Sequence, residues 1–141
     1  MNTYSFQDVT CSIYHPSVGS ASTTGAGMGS ITTSMATTKT VHEVAADGRV
    51  MPSKIAGENG TIVLQIQQTS DLNRWLKKWY NYINSADSSE WANTNITIKS
   101  NNLGDNTVCT GVSPEKLADK PYQAQGQMIT WNLMATNIAQ N

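Results

Sequence analysis

The stretch Thr61-Ile62-Val63-Leu64-Gln65-Ile66-Gln67-Gln68-Thr69-Ser70-Asp71-Leu72-Asn73-Arg74-Trp75-Leu76-Lys77-Lys78-Trp79-Tyr80-Asn81-Tyr82-Ile83-Asn84 changes its apolar period at Ser70. Up to Thr69 the period is two: Ile62, Leu64 and Ile66 share one face, Val63, Gln65 and Gln67 the other. That predicts a strand with one dry and one largely polar face. After Ser70 the apolar residues Leu72, Trp75, Leu76, Trp79 and Ile83 recur at helical spacing. Ser70 is a natural N-cap, and Asp71 lies in the first turn, where the helix dipole favours an acid. The pattern predicts one amphipathic helix over 71–84, its outer face carrying Arg74, Lys77, Lys78 and Asn81.

Outward from this unit the chain reads as strands. Residues 9–14 are rich in β-branched and aromatic residues, and Pro16 ends them. Residues 17–28, dense in Gly, Ser, Ala and Thr, read as a loop. The Thr-rich segment 29–44 is long for one strand and predicts a break near 37–39. Asp47-Gly48 suits a type I′ hairpin turn between 41–45 and 49–55. That hairpin is poor in core residues, so it cannot bury much by itself. Residues 57–60 and 101–106 read as turns, and 95–99 and 107–112 as short strands. Residues 113–122 read as a loop with room for one helical turn, and 127–135 as the closing strand, with Ile129, Trp131, Leu133 and Ala135 alternating. Six to eight strands and one helix predict a mainly β, antiparallel sandwich or barrel with a flanking amphipathic α-helix, in a single domain spanning 1–141. The expected core is Ile62, Leu64, Ile66, Leu72, Trp75, Leu76, Trp79, Ile83 and Trp131.

The chain has 141 residues and a formal net charge of −1, which argues against nucleic-acid or membrane-surface binding through bulk positive charge. Charged residues make up only 13%, while Ser, Thr, Asn and Gln number 52, so the surface is polar through hydroxyls and amides. No apolar run is long enough for a transmembrane helix, and the N-terminal residues read as no secretory signal. Cys11 and Cys109 have no metal spacing and are expected as reduced, buried thiols.

Chemical motifs are weak. His42-Glu43 lacks the second histidine of a metalloprotease helix, because position 46 is Ala46. The glycines at 25, 27 and 29 lack the Lys-Ser/Thr of a phosphate loop. With only His15 and His42 and no nucleophile elbow, no triad is indicated, and no carboxylate pair stands out. No cofactor, metal or catalytic residue is expected. Trp75 and Trp79, four apart on the helix, are expected to face the core together, whereas Trp91 lies in a polar segment and is the tryptophan suited to a surface contact. Edges are the unusual feature: few charges and no prolines guard the long Thr-rich segment, so its edges invite pairing with other chains.

The start Tyr4-Ser5-Phe6-Gln7-Asp8-Val9, the block Ala45-Ala46-Asp47-Gly48-Arg49-Val50-Met51-Pro52-Ser53, its continuation into Ser70-Asp71-Leu72-Asn73, and the closing Ile129-Thr130-Trp131 together resemble small tail tube proteins of contractile-tailed bacteriophages. The resemblance implies a β-sandwich or barrel subunit that forms hexameric rings stacked into a hollow channel for genome delivery. It implies partners: copies of itself, a tail sheath protein, a tape-measure protein in the lumen, baseplate and tail terminator proteins, and DNA that passes without specific binding. It implies residence in the virion tail, reached through the host cytoplasm during assembly. On this reading the protruding hairpin at 41–55 is an inter-ring arm carrying Val41, His42, Glu43, Val44, Asp47, Gly48, Arg49, Val50, Met51 and Lys54. Ser30, Thr32, Thr61, Val63, Gln65 and Gln67 are candidates for the channel wall, and Arg74, Lys77, Lys78 and Trp91 for the outer surface touched by sheath. A tube protein of a tailed bacteriocin or contractile secretion system fits the same residues. A monomeric carbohydrate-binding β-sandwich, using Trp91 and Tyr122, is the alternative from another class.

Overall fold

The structure is a computed structural model that describes residues 3–24 and 28–141. Nine strands and one long helix follow in the order β1 (Val9–His15), β2 (Gly19–Thr23), β3 (Met28–Met35), β4 (Thr40–Val44), β5 (Val50–Lys54), β6 (Gly60–Gln67), α1 (Asp71–Ser85), β7 (Thr94–Ser100), β8 (Asp105–Pro114) and β9 (Met128–Gln140). Seven strands form one antiparallel sheet in the order β2-β1-β7-β8-β9-β6-β3, and β4 with β5 forms a separate ribbon. The 13-residue β9 joins the two halves of the sheet, pairing with β6 over 128–135 and with β8 over 133–140. The sheet curls around one core made by β1, β6, β7, β8, β9 and α1.

The corner of that curl is Gly111. One extra residue in β8 shifts its register against β7 between Thr94 and Ile96, and Gly111 takes a φ of 63°. A Cβ there would lie 2.0 Å from Thr136 Oγ1, so both the backbone angle and the space require glycine. Past this bulge the buried side of β8 changes from Cys109 to Val112, and that of β9 from Ala135 to Ile138.

Ile62, Leu64, Ile66, Leu72, Leu76, Trp79, Ile83 and Trp131 are buried. Trp75 is only half-buried and stacks on Trp79, centroids 6.2 Å apart and planes at 9°. Ser70 caps α1 by accepting from Leu72 N at 3.2 Å. Both buried indoles are satisfied: Trp79 Nε1 donates to Thr94 Oγ1 at 2.8 Å, and Trp131 Nε1 to Asn73 Oδ1 at 3.0 Å. Asn73→Leu leaves the Trp131 N–H without a partner. The expected cost is about 1–3 kcal/mol. That lowers the thermal midpoint by about 5 °C, read by circular dichroism.

Several sequence readings need correction. Residues 17–28 are not a loop throughout: Gly19–Thr23 pairs with β1 from Cys11↔Thr23 to His15↔Gly19, while residues 25–27 lie outside the described part. The Asp-Gly turn is not type I′, because Gly48 has positive φ and Asp47 does not. Gly48 N donates to Ala45 O and Ala45 N to Arg49 O, the three-residue loop of a type I turn followed by a glycine bulge. Residues 57–59 form no turn, and Glu58 O accepts from Ile138 N at 2.8 Å. Residues 115–127 contain no helical turn, and β9 continues five residues past the predicted 135.

Cys11 and Cys109 are free and buried. Burial pushes Cys11 up to about 12, helped by Cys109, and Cys109 up to about 11. Both thiols are thus protonated at neutral pH and shielded. Folded protein is expected to resist iodoacetamide at pH 8 and to take two labels per chain once unfolded, counted by mass spectrometry.

Candidate functional site

Three strands present a face without a single charge. The β3–β6 and β6–β9 registers align Ser30, Gln65 and Thr130 in one row; Thr32, Val63 and Asn132 in the next; Ser34, Thr61 and Met134 in a third; and Gln67 beside Met128 at the end. These side chains turn away from Ile62, Leu64, Ile66, Ile129, Trp131 and Leu133, which are buried on the opposite face. Ser30 Oγ donates to Gln65 Oε1 at 3.3 Å and ties β3 to β6. A register shift between Met28 and Ser30 lets Met28 enter the core while Ser30 and Thr32 face out. Gly29 makes room there for Met128, whose Cε would lie 2.5 Å from a Cβ at that position. Ser30, Thr32, Thr61, Val63, Gln65 and Gln67 therefore share one face. Sequence reasoning missed Ser34 and the third strand, Met128, Thr130, Asn132 and Met134. The alternation of β9 was visible, but its register beside β6 was not.

This panel has open borders. Among the described residues, β3 pairs only with β6, and β2 only with β1. On the outer side of the first half of β9, the backbone bond found is Glu115 N donating to Asn132 O at 2.9 Å.

The β4–β5 ribbon pairs Thr40 with Lys54 through Val44 with Val50 and, among the described residues, joins no other strand. Every residue from Thr38 to Pro52 is exposed, including Val44 at 65% and Met51 at 56%. All ten residues assigned to the arm lie on it. Its base is fixed to the body: Ile55 N donates to Lys39 O at 2.8 Å, and Lys39 Nζ reaches Gly57 O at 2.9 Å and Glu58 Oε1 at 2.6 Å. The exposed apolar side chains are what a monomer would be expected to hide.

On α1, Arg74 and Lys78 are exposed, and Arg74 lies 3.6 Å from Asp71. Lys77 is half-buried, and its pKa is lowered by burial and then by the neighbouring Lys120. Trp91 is half-buried and packs against the core. Near it, Ser17 N donates to His15 Nδ1 at 3.1 Å, so the ring proton is on Nε2, 3.1 Å from Glu90 O. Ser17 Oγ bonds Glu90 Oε1 at 3.3 Å and not the imidazole, so this Ser, His and Glu form a structural clamp rather than a nucleophile and its base. Among the described residues no group of three or more His, Cys, Asp or Glu is placed to hold a metal ion.

An uncharged sheet face with open strand borders and a projecting ribbon with exposed apolar side chains are the two features that set this surface apart. The family described as Bacteriophage PhiTE tail tube protein matches residues 1–141. The chain belongs to this tail tube family. It is a structural tail tube subunit. No curated protein matches its sequence. Solved structures share the fold of the tube protein. A chain of the sheath-tube complex of the PVC extracellular contractile injection system, extended state, is 14% identical with a TM-score of 0.63, covering 99% of this chain and 91% of that one. A chain of the anti-feeding prophage baseplate is 10% identical with a TM-score of 0.67, covering 100% and 96%. A chain of the PVC sheath/tube terminator is 13% identical with a TM-score of 0.63, covering 100% and 98%.

Proposed function

We propose that this tail tube protein assembles into hexameric rings that stack head to tail, with the β3–β6–β9 face lining the lumen. The observation that carries this reading is that eleven side chains on that face, from three strands, include no charge. DNA carries about one negative charge per 1.7 Å, and a wall of hydroxyls, amides and thioethers offers it no ion pair to break as it slides. Head-to-tail contacts that close give rings, and those that do not close give filaments, so one subunit with two kinds of unfilled border can do both. Open strand edges pair around the ring, and the β4–β5 arm reaches the adjacent ring, where Val41, Val44, Val50 and Met51 become buried. Outside, the α1 side meets a sheath; at its ends the tube meets terminator and baseplate proteins; a tape-measure protein fills the lumen until DNA replaces it. The subunit does this without catalysis, in the virion tail after assembly in the host cytoplasm.

Because the native thiols are shielded, Gln65→Cys and Lys78→Cys each add one reactive thiol. In assembled tubes a 5-kDa maleimide polymer is expected to modify Lys78→Cys and not Gln65→Cys, while dissociated subunits react at both. Equal labelling of Gln65→Cys in tubes would overturn the lumen assignment.

A further inference from the structure

The pleat of β9 puts α1 and the uncharged face on opposite sides, since Ile129 and Trp131 turn to the core while Met128, Thr130 and Asn132 turn away. If that face lines the lumen, α1 faces outward. Between α1 and residues 117–120 lies a cleft of about 130 Å³, room for one side chain. Its floor is Ile129 and Trp131, with Leu117 and Ala118 on one wall. The polar groups of the floor are already engaged: Asn73 accepts from Trp131 Nε1 and donates to Gln68 O. Lys77 and Lys120 both line the cleft. Among the described residues neither has a carboxylate within 4 Å; the Lys and Arg ion pairs join Lys39 to Glu58, Arg49 to Asp47 and Arg74 to Asp71. Asp119 lies on the same loop and pairs with neither.

Two ammonium groups that line one cleft without an acid repel each other. Burial and the charge of Lys120 already draw Lys77 down. A carboxylate placed between them accepts from both and removes the repulsion. We infer that the Lys77–Lys120 cleft receives an aspartate or glutamate side chain of the sheath protein that encloses the tube. The apolar stem of that acid rests on Leu117 and Ala118. A nucleic-acid backbone fits poorly, because the cleft holds one group and exposed Leu117 flanks it. This inference rests on the lumen assignment above and adds the residues and the chemistry of the outer contact.

The test is zero-length carbodiimide coupling on sheathed particles and on naked tubes, mapped by mass spectrometry. Amides from Lys77 or Lys120 to an acidic residue of the sheath are expected in sheathed particles and absent from naked tubes. Lys77→Gln with Lys120→Gln is expected to form tubes of normal length that retain sheath about tenfold less well on co-sedimentation, a loss of about 1.4 kcal/mol. Coupling only to Asp119 or to a neighbouring tube subunit, or unchanged sheath retention, would overturn the inference. If the double variant fails to fold, the coupling map of the native chain decides. Failure of the lumen assignment is read separately, from labelling at Gln65→Cys.

Discussion

A chain lacking residues 43–53, closed by a two-glycine linker, is expected to fold and yet never to extend into tubes. The ribbon pairs with no strand of the main sheet, and Thr40 opposes Lys54, so a short linker closes the gap without moving the body. The bonds of Lys39 to Gly57, Glu58 and Ile55, which fix the base, survive the deletion. What is lost is burial against the next ring. Val44, Val50 and Met51, which the deletion removes, are about half exposed. At about 1 kcal/mol for each remaining half, the deletion takes about 3 kcal/mol from each arm's stacking, about a hundredfold in affinity. Six arms per ring multiply the effect. Size-exclusion chromatography with light scattering should show no species larger than single rings, with a native circular dichroism spectrum. Normal tube lengths from the deletion would refute the arm's role. Val44→Asp with Met51→Asp should act in the same direction.

Gln65→Lys is expected to leave tube length unchanged and to reduce infectivity per particle by about a thousandfold. Gln65 is exposed in the middle strand of the uncharged face, so the substitution disturbs no packing. In a hexamer it places six cations around each ring. Each lysine–phosphate contact is worth about 1 kcal/mol in water. Ring after ring, those contacts accumulate along the DNA and grip it. Gln65→Glu places anions there instead and should pass DNA almost normally. The comparison of the two variants, by plaque titre against particles counted by microscopy, separates charge from bulk. Equal losses in both would mean that the position matters for assembly and not for sliding.

The strand-to-helix unit was legible because its signals are local: the switch of period at Ser70, the cap and the apolar stripe all lie within 61–84. The β4–β5 ribbon was legible for the opposite reason, its shortage of core residues around a clear turn. β2 was not, because Gly-Ser-Ala-Ser-Thr has no apolar alternation; it is a strand through its pairing with β1. The far end of β9 was hidden because its buried side changes after Ala135, opposite the bulge at Gly111. Residue alternation gave half of the uncharged face, and the other half depended on which strand lies beside β6. The cleft at Lys77 and Lys120 joins residues 43 positions apart, and nothing local announces it.

The central claim is that the uncharged face of β3, β6 and β9 turns inward in an assembly made by this chain alone. Electron cryomicroscopy of the purified chain, allowed to polymerise and reconstructed with helical symmetry, tests it directly. The expected density shows Gln65, Thr32 and Thr130 on the channel surface, α1 on the outside and residues 41–55 embedded in the adjacent ring. Tubes lined by α1, or a solitary subunit with the 41–55 ribbon packed on its own body, would contradict it.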